Sequence, residues 1–198
     1  GLVGSEMCIR DRSNIASGDH AVISGGELNT ASGSWSTISG GRENSADGYR
    51  STVSGGYTNT ASDSYATVGG GFSNISGYYG SVSGGEDNTA SGFYTTVGGG
   101  SGNTASEENA TVGGGYINEA SGYASTVGGG ESNTASGGDS TVGGGDYNTA
   151  SGYKSTVPGG YANLAQGNYS LAAGTRAKAN NPGCFVWGDS TIADVTCN

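Results

Sequence analysis

Large hydrophobic side chains are the scarcest component of this sequence: Phe, Trp and Met together number six among 198 residues, against 42 glycines. A compact core of the usual kind cannot be assembled from that supply. No run of 18 apolar residues occurs, so no segment reads as a spanning helix and no membrane insertion is expected within this fragment. Proline appears twice and charged residues make up 12% of the chain, whereas disordered chains of low hydrophobicity are usually richer in both. Positive charge is scarce as well. Seven Lys and Arg face 17 Asp and Glu, for a formal net charge of −10, and no basic segment exists, which argues against a nucleic-acid partner.

The twelve leading residues, GLVGSEMCIRDR, share nothing with the rest of the chain and hold the only Met and the first Cys. Translated back, ATG TGT ATA AGA GAC AG gives Met7 to Asp11 and begins Arg12; this is the mosaic end used in transposase-based sequencing libraries. The adapter bases CTC GTG GGC TCG GAG give Leu2 to Glu6. Residues 1–12 are therefore expected to be adapter-derived and not native, and are set aside from fold reasoning. Cys184 and Cys197 then remain. They could pair, as suits an oxidising compartment, or be two small buried residues.

What the chain has in abundance is repetition. One Asn marks each unit: Asn14, Asn29, Asn44, Asn59, Asn74, Asn88, Asn103, Asn118, Asn133, Asn148 and Asn163. Every step is 15 residues except Asn74 to Asn88, which is 14 because NISGYYGSV lacks one residue of the NTASGxxSTV pattern. Ala stands two residues after most of these Asn, and Val or Ile nine residues after. Each unit divides into two related halves, NTASGxx and STVGGGxx; beyond Asn163 the chain runs in strict sevens, carrying Ala165, Ala172, Ala179 and Val186 at the same position.

Short alternation followed by Gly and two tolerant positions is the pattern of a strand and a turn. Two strands and two turns per unit predict one coil of an all-β, parallel β-roll or β-solenoid of about 11 to 12 coils. Glycine content excludes helix, and the lack of a three-residue glycine period excludes collagen. The calcium-binding GGxGxDxUx roll is also excluded, since the residues after the glycines vary by turns. The GGG runs read as turn residues that tolerate φ > 0. The expected domains are residues 13–183 as the roll and 184–198, with Phe185, Val186 and Trp187, as a C-terminal cap or junction. One Val and one Ala per coil return less on burial than ordering fifteen residues costs. A homo-oligomer, most simply a homotrimer, is therefore expected, with a monomeric solenoid as the alternative.

The NTASGxxSTVGGG units, and above all NYSLAAGTRAKA at residues 168–179, resemble the head repeats of trimeric autotransporter adhesins (the YadA-like head β-roll) and related bacterial and phage surface fibres. The resemblance covers about residues 13–190, with units one residue longer than the family's. It implies an intertwined trimer of left-handed parallel rolls on a bacterial outer surface, or alternatively on a phage particle. It also implies attachment to host matrix proteins, other cells or abiotic surfaces, so the expected partner is a host matrix protein, a glycan or another cell-surface ligand.

Candidate site residues lie in the second turn, five and six residues after each Asn: Trp35, Tyr49, Tyr65, Tyr79, Tyr94, Tyr123, Tyr153 and Tyr169. Stacked coil on coil, they would form a partly exposed aromatic row. Such a row is either a binding strip, since aromatics concentrate at contact hot spots, or a ladder that stiffens the roll. A second ladder, Thr37, Thr52, Thr67, Thr96, Thr111, Thr126, Thr141 and Thr156, would point outward and could order water as ice-binding solenoids do. No catalytic constellation emerges. His20 has no counterpart in other repeats and reads as a solvated side chain, and no Lys-Ser or Lys-Thr follows the glycines as a P-loop requires. The chain is expected to be non-enzymatic, with no metal or cofactor.

Overall fold

Alternation dictates the unit of construction. In each coil a two-residue strand such as Thr134–Ala135 points Ala inward and Thr outward, and a second such as Thr141–Val142 does the same with Val. The computed structural model describes residues 13–189 and 194–197. The adapter-like residues 1–12 lie outside the described residues. Within the described range the Ala strands form one 13-stranded sheet and the Val strands another; successive strands alternate between the sheets, except that Gly160–Tyr161 joins the Val sheet directly after Thr156–Val157. The molecule is an all-β parallel solenoid of about twelve coils.

Neighbouring strands pair in parallel and in one-to-one register, Thr111 beside Thr126 beside Thr141 and Val112 beside Val127 beside Val142. Strand amides donate forward, Thr126 N–H to the Ser140 carbonyl at 2.9 Å, while corner amides donate back, Asp139 N–H to the Tyr123 carbonyl at 2.8 Å. Each coil is thus bonded to both of its neighbours.

The core between the sheets is made of small side chains. Val53, Val97, Val127 and Val157, with Ala61, Ala105, Ala135 and Ala165, have no exposed surface. Ala165, Ala172, Ala179 and Val186, at the position that persists through the sevens, are all buried. A further inward position, seven residues after each Asn, is Ser in most coils but Ala in three, Ala21, Ala66 and Ala110, and Thr95 in another. The hydroxyls of Ser36, Ser51, Ser140, Ser155 and Ser170 there find no hydrogen-bond partner, so the position selects for small volume.

The repeat-marking Asn carries more than its sequence suggests. Its side chain is buried in every coil from Asn29 to Asn163. Asn118 Nδ2 donates to Asn103 Oδ1 at 3.1 Å, to the Gly114 carbonyl at 2.9 Å and to the Gly130 carbonyl at 2.8 Å. Its Oδ1 accepts from both the N–H and the Nδ2 of Asn133, at 3.0 and 3.1 Å. Every coil from Asn29 to Asn148 repeats this, and the ladder ends where Ala177 N–H donates to Asn163 Oδ1. The third glycine of each run accommodates it. At Gly130 φ is +92°, and a Cβ there would lie 2.1 Å from the Gly145 carbonyl oxygen and 2.8 Å from Asn133 Nδ2. The third glycine of each run adopts φ > 0 and makes room for the amide ladder, whereas the first, such as Gly128, is not at positive φ and is required by close approach, since a Cβ there would lie 2.4 Å from the Gly143 carbonyl oxygen.

The fourteen-residue coil is absorbed at one corner. Gly77 replaces a Ser-Gly pair, while Ile75 and Ser76 stay opposite Thr89 and Ala90, and Val82 opposite Val97. Ser76 takes the Ala position, buried and with its hydroxyl unpartnered. The apolar core divides here into two clusters, one ending at Val68 and the other beginning at Val82.

At the C-terminal end Phe185–Gly188 and Val195–Cys197 extend the two sheets, pairing with Leu171–Thr175 and Ala177–Ala179. Val186 and Cys184 face inward, whereas Phe185 and Trp187 point out at 69% and 68% exposure. Cys184 and Cys197 form a disulfide with Cα atoms 6.1 Å apart, and Asp194 pairs with both Arg176 and Lys178.

Candidate functional site

The corners between strands carry the large side chains. At the corner after Ser-Gly the chain needs a residue in the left-handed region: Trp35, Tyr65, Tyr79, Tyr94 and Tyr169 have φ between +53° and +63°. A bulky residue at φ > 0 is strained where Gly would not be, so the side chains there must return something. They return stacking. Tyr65 and Tyr79 lie 4.7 Å apart between centroids and 9° from parallel, and Tyr79 and Tyr94 lie 4.8 Å apart.

The eight sequence candidates occupy two adjacent columns. Trp35, Tyr65, Tyr79, Tyr94 and Tyr169 are the left-handed residues, while Tyr49, Tyr123 and Tyr153 precede such a residue. The structure gathers Tyr49, Tyr65, Tyr79 and Tyr94 into one cluster and adds Tyr78 and Phe93, stacked on each other at 4.8 Å. Those two share Tyr49's offset once the deleted residue is allowed for, and that is the signal by which they could have been found. Beyond Tyr94 the column passes to Glu108 and Asn109, which interrupts it. Tyr153 and Tyr169 form a separate pair at 5.7 Å. Trp35 pairs instead with His20, centroids 4.2 Å apart. Among the described residues no ring contact is found for Tyr123. His20 thus holds the same corner position as Trp35, φ +56°, and although exposed it is stacked.

The opposite corner, before each Asn, holds a second row that sequence reading missed. Its residues pair coil to coil as single bridges, Arg42 to Tyr57 to Phe72 to Glu86. Tyr57 stacks with Phe72 at 5.5 Å, Arg42 lies over the Tyr57 ring at 5.6 Å, and Tyr147 meets Tyr161 at 5.9 Å. This row is mixed with acid, with Glu131 directly beside Asp146. The Glu131 carboxylate raises the Tyr147 phenol above its ordinary pKa. Tyr79 is raised too, first by desolvation among its neighbouring rings and then by the phenols of Tyr65, Tyr94 and Tyr78.

Between the corners the two outer faces differ. On the Val sheet the outward column runs Val22, Thr37, Thr52, Thr67, Ser81, Thr96, Thr111, Thr126, Thr141, Thr156, Leu171 and Phe185, without a charge. The Ala sheet's outer face includes Glu119 and Lys178. Among the described residues no cavity is found, and no group of three or more His, Cys, Asp or Glu is placed to hold a metal.

No protein-family model matches the chain. No curated protein matches it either.

Proposed function

We propose that the chain is the non-enzymatic shaft or head of an extracellular surface fibre or adhesin, carried on a bacterial outer surface or a phage particle and attaching to a matrix protein, glycan or cell-surface ligand. The observation that carries this reading is the exposed aromatic cluster of Tyr49, Tyr65, Tyr78, Tyr79, Phe93 and Tyr94, set midway along a rod about 50 to 60 Å long at the usual strand spacing. Exposed contiguous aromatic surface is characteristic of contact sites. Because the rings stack on one another, partners would meet chiefly ring edges and phenol hydroxyls, which suits a hydrogen-bonding surface. The test replaces Tyr65, Tyr94 and Tyr123 with Ser and measures both attachment to cells or matrix and the melting temperature. Loss of attachment is expected; unchanged attachment with a lowered melting temperature would reduce the row to a stiffening ladder.

The same reading takes the fibre as a homotrimer whose copies meet through the uncharged outer face of the Val sheet. Small hydroxyl and glycine residues allow close approach there, and Phe185 and Trp187 stand exposed at its C-terminal end. One observation favours a second reading of that face. Its threonines repeat in strict parallel register from Thr96 to Thr156, a regular hydroxyl array of the kind that could order water on ice. The two readings compete for one surface, since a face covered by other copies cannot meet ice.

A further inference from the structure

Several tyrosines of this rod meet a tyrosine of the next coil. Of the twelve tyrosines, Tyr65, Tyr79 and Tyr94 form a continuous stack with centroid separations of 4.7 and 4.8 Å. The three rings are between 37% and 50% exposed, so small oxidants reach them. Their backbones are pinned at the same spacing by corner hydrogen bonds, Tyr65 N–H to the Tyr49 carbonyl, Tyr79 N–H to the Ser64 carbonyl and Tyr94 N–H to the Tyr78 carbonyl. Tyr65 and Tyr79 are stacked with 9° between their planes and Tyr79 and Tyr94 are tilted by 30°, so each phenol ring has its neighbour's ring within direct contact.

We propose that Tyr65, Tyr79 and Tyr94 are a site of oxidative dityrosine cross-linking that covalently joins successive coils, with a peroxide-driven haem peroxidase as the class of oxidant. One-electron oxidation of two neighbouring phenols removes an electron and a proton from each. The two phenoxyl radicals join through a carbon–carbon bond between ortho positions. The ortho hydrogens then return to the phenol oxygens, restoring both aromatic rings. One hydrogen peroxide is reduced to two waters, and the protein loses two hydrogen atoms per link. Preorganisation favours this over coupling between molecules, because holding reactants in place replaces a bimolecular encounter. Tyr79 is the hub, with two ortho carbons and a stacked tyrosine on each side. The edge-on pairs Tyr49–Tyr65 and Tyr153–Tyr169, at 84° and 85°, present poorer overlap. The Cys184–Cys197 disulfide fits a chain that matures where oxidants are present. Each link would close a loop of coil length and restrict the unfolded chain as a disulfide does.

The test treats the full chain with a haem peroxidase and limiting hydrogen peroxide, isolates material that keeps the mass of its untreated assembly, and maps linked peptides by mass. Expected are dityrosine fluorescence and peptides joined through Tyr65–Tyr79 or Tyr79–Tyr94, lighter by two hydrogens, with a raised melting temperature. Tyr79→Phe should cut the yield of these links at least about fivefold and Tyr123→Phe leave it unchanged, circular dichroism confirming that both variants are folded. Should Tyr79→Phe misfold, Tyr65→Phe and Tyr94→Phe each test one link. Links spread evenly over all tyrosines, or yields the same in denaturant as in the folded chain, would overturn the proposal.

Discussion

At the residue scale the fold depends on an amide that looks like a punctuation mark. Composition offers one Val and one Ala per coil as core, too little to explain an ordered rod. The buried Asn ladder supplies part of the difference, because each amide is bonded at both its nitrogen and its oxygen to groups on neighbouring coils. Replacing Asn118 with Ala removes five hydrogen bonds and orphans buried donors and acceptors. The expected cost is about 3 to 5 kcal/mol, measured by denaturant unfolding; a loss under about 1 kcal/mol would mean the ladder is incidental. The inward Ala and Val were legible in sequence because alternation betrays them. The role of Asn was not, since polar residues spaced fifteen apart suggest a turn, and only closure of the coil shows them meeting. Similarly, the sequence identifies aromatic corners but not that Tyr78 and Phe93 join Tyr79 and Tyr94: the deleted residue shifts the count for Tyr78, and Phe93 stands at Tyr49's offset beside a second ring of the same corner, Tyr94.

At the scale of the element, strand pairing is uniform and differences arise at the exceptions. Ser76 interrupts the apolar core where the short coil lies, buried and with no partner for its hydroxyl. Ser76→Ala restores the repeat's own choice and removes an unsatisfied group, so it should stabilise the chain by about 1 kcal/mol and raise its melting temperature; a lowered one would show that the hydroxyl is used. The last coil is held differently, by the disulfide and by Asp194 between Lys178 and Arg176. Hydrogen bonds from Lys178 and then Arg176 hold the Asp194 carboxyl below its ordinary pKa. A depressed folded value means that the contribution is complete above the ordinary carboxylate range, about 4, and disappears as pH falls through the folded value. Asp194→Asn should therefore speed hydrogen exchange in Val195–Cys197 at neutral pH and match the parent chain in acid. An equal difference at both pH values would contradict the bridge. The possible Cys184–Cys197 pairing was visible in sequence only as one of two alternatives, because two cysteines thirteen residues apart meet only if the intervening chain completes a coil.

At the scale of the whole molecule, coil upon coil gives a rod whose stability is nearly additive along its length. The period, parallel architecture and approximate coil number were all legible in sequence because they arise from repetition. The difference between the two outer faces was less so, since it appears only when outward positions are separated by sheet. That uncharged Val-sheet face is where the fibre reading places the neighbouring copies and where the ice reading places water. Light scattering after size exclusion, on residues 13–198 at two concentrations, decides between them most directly. Three times the single-chain mass is expected at both concentrations. A folded particle of single-chain mass would contradict it, leaving the hydroxyl face open and making ice-recrystallisation activity the next property to measure.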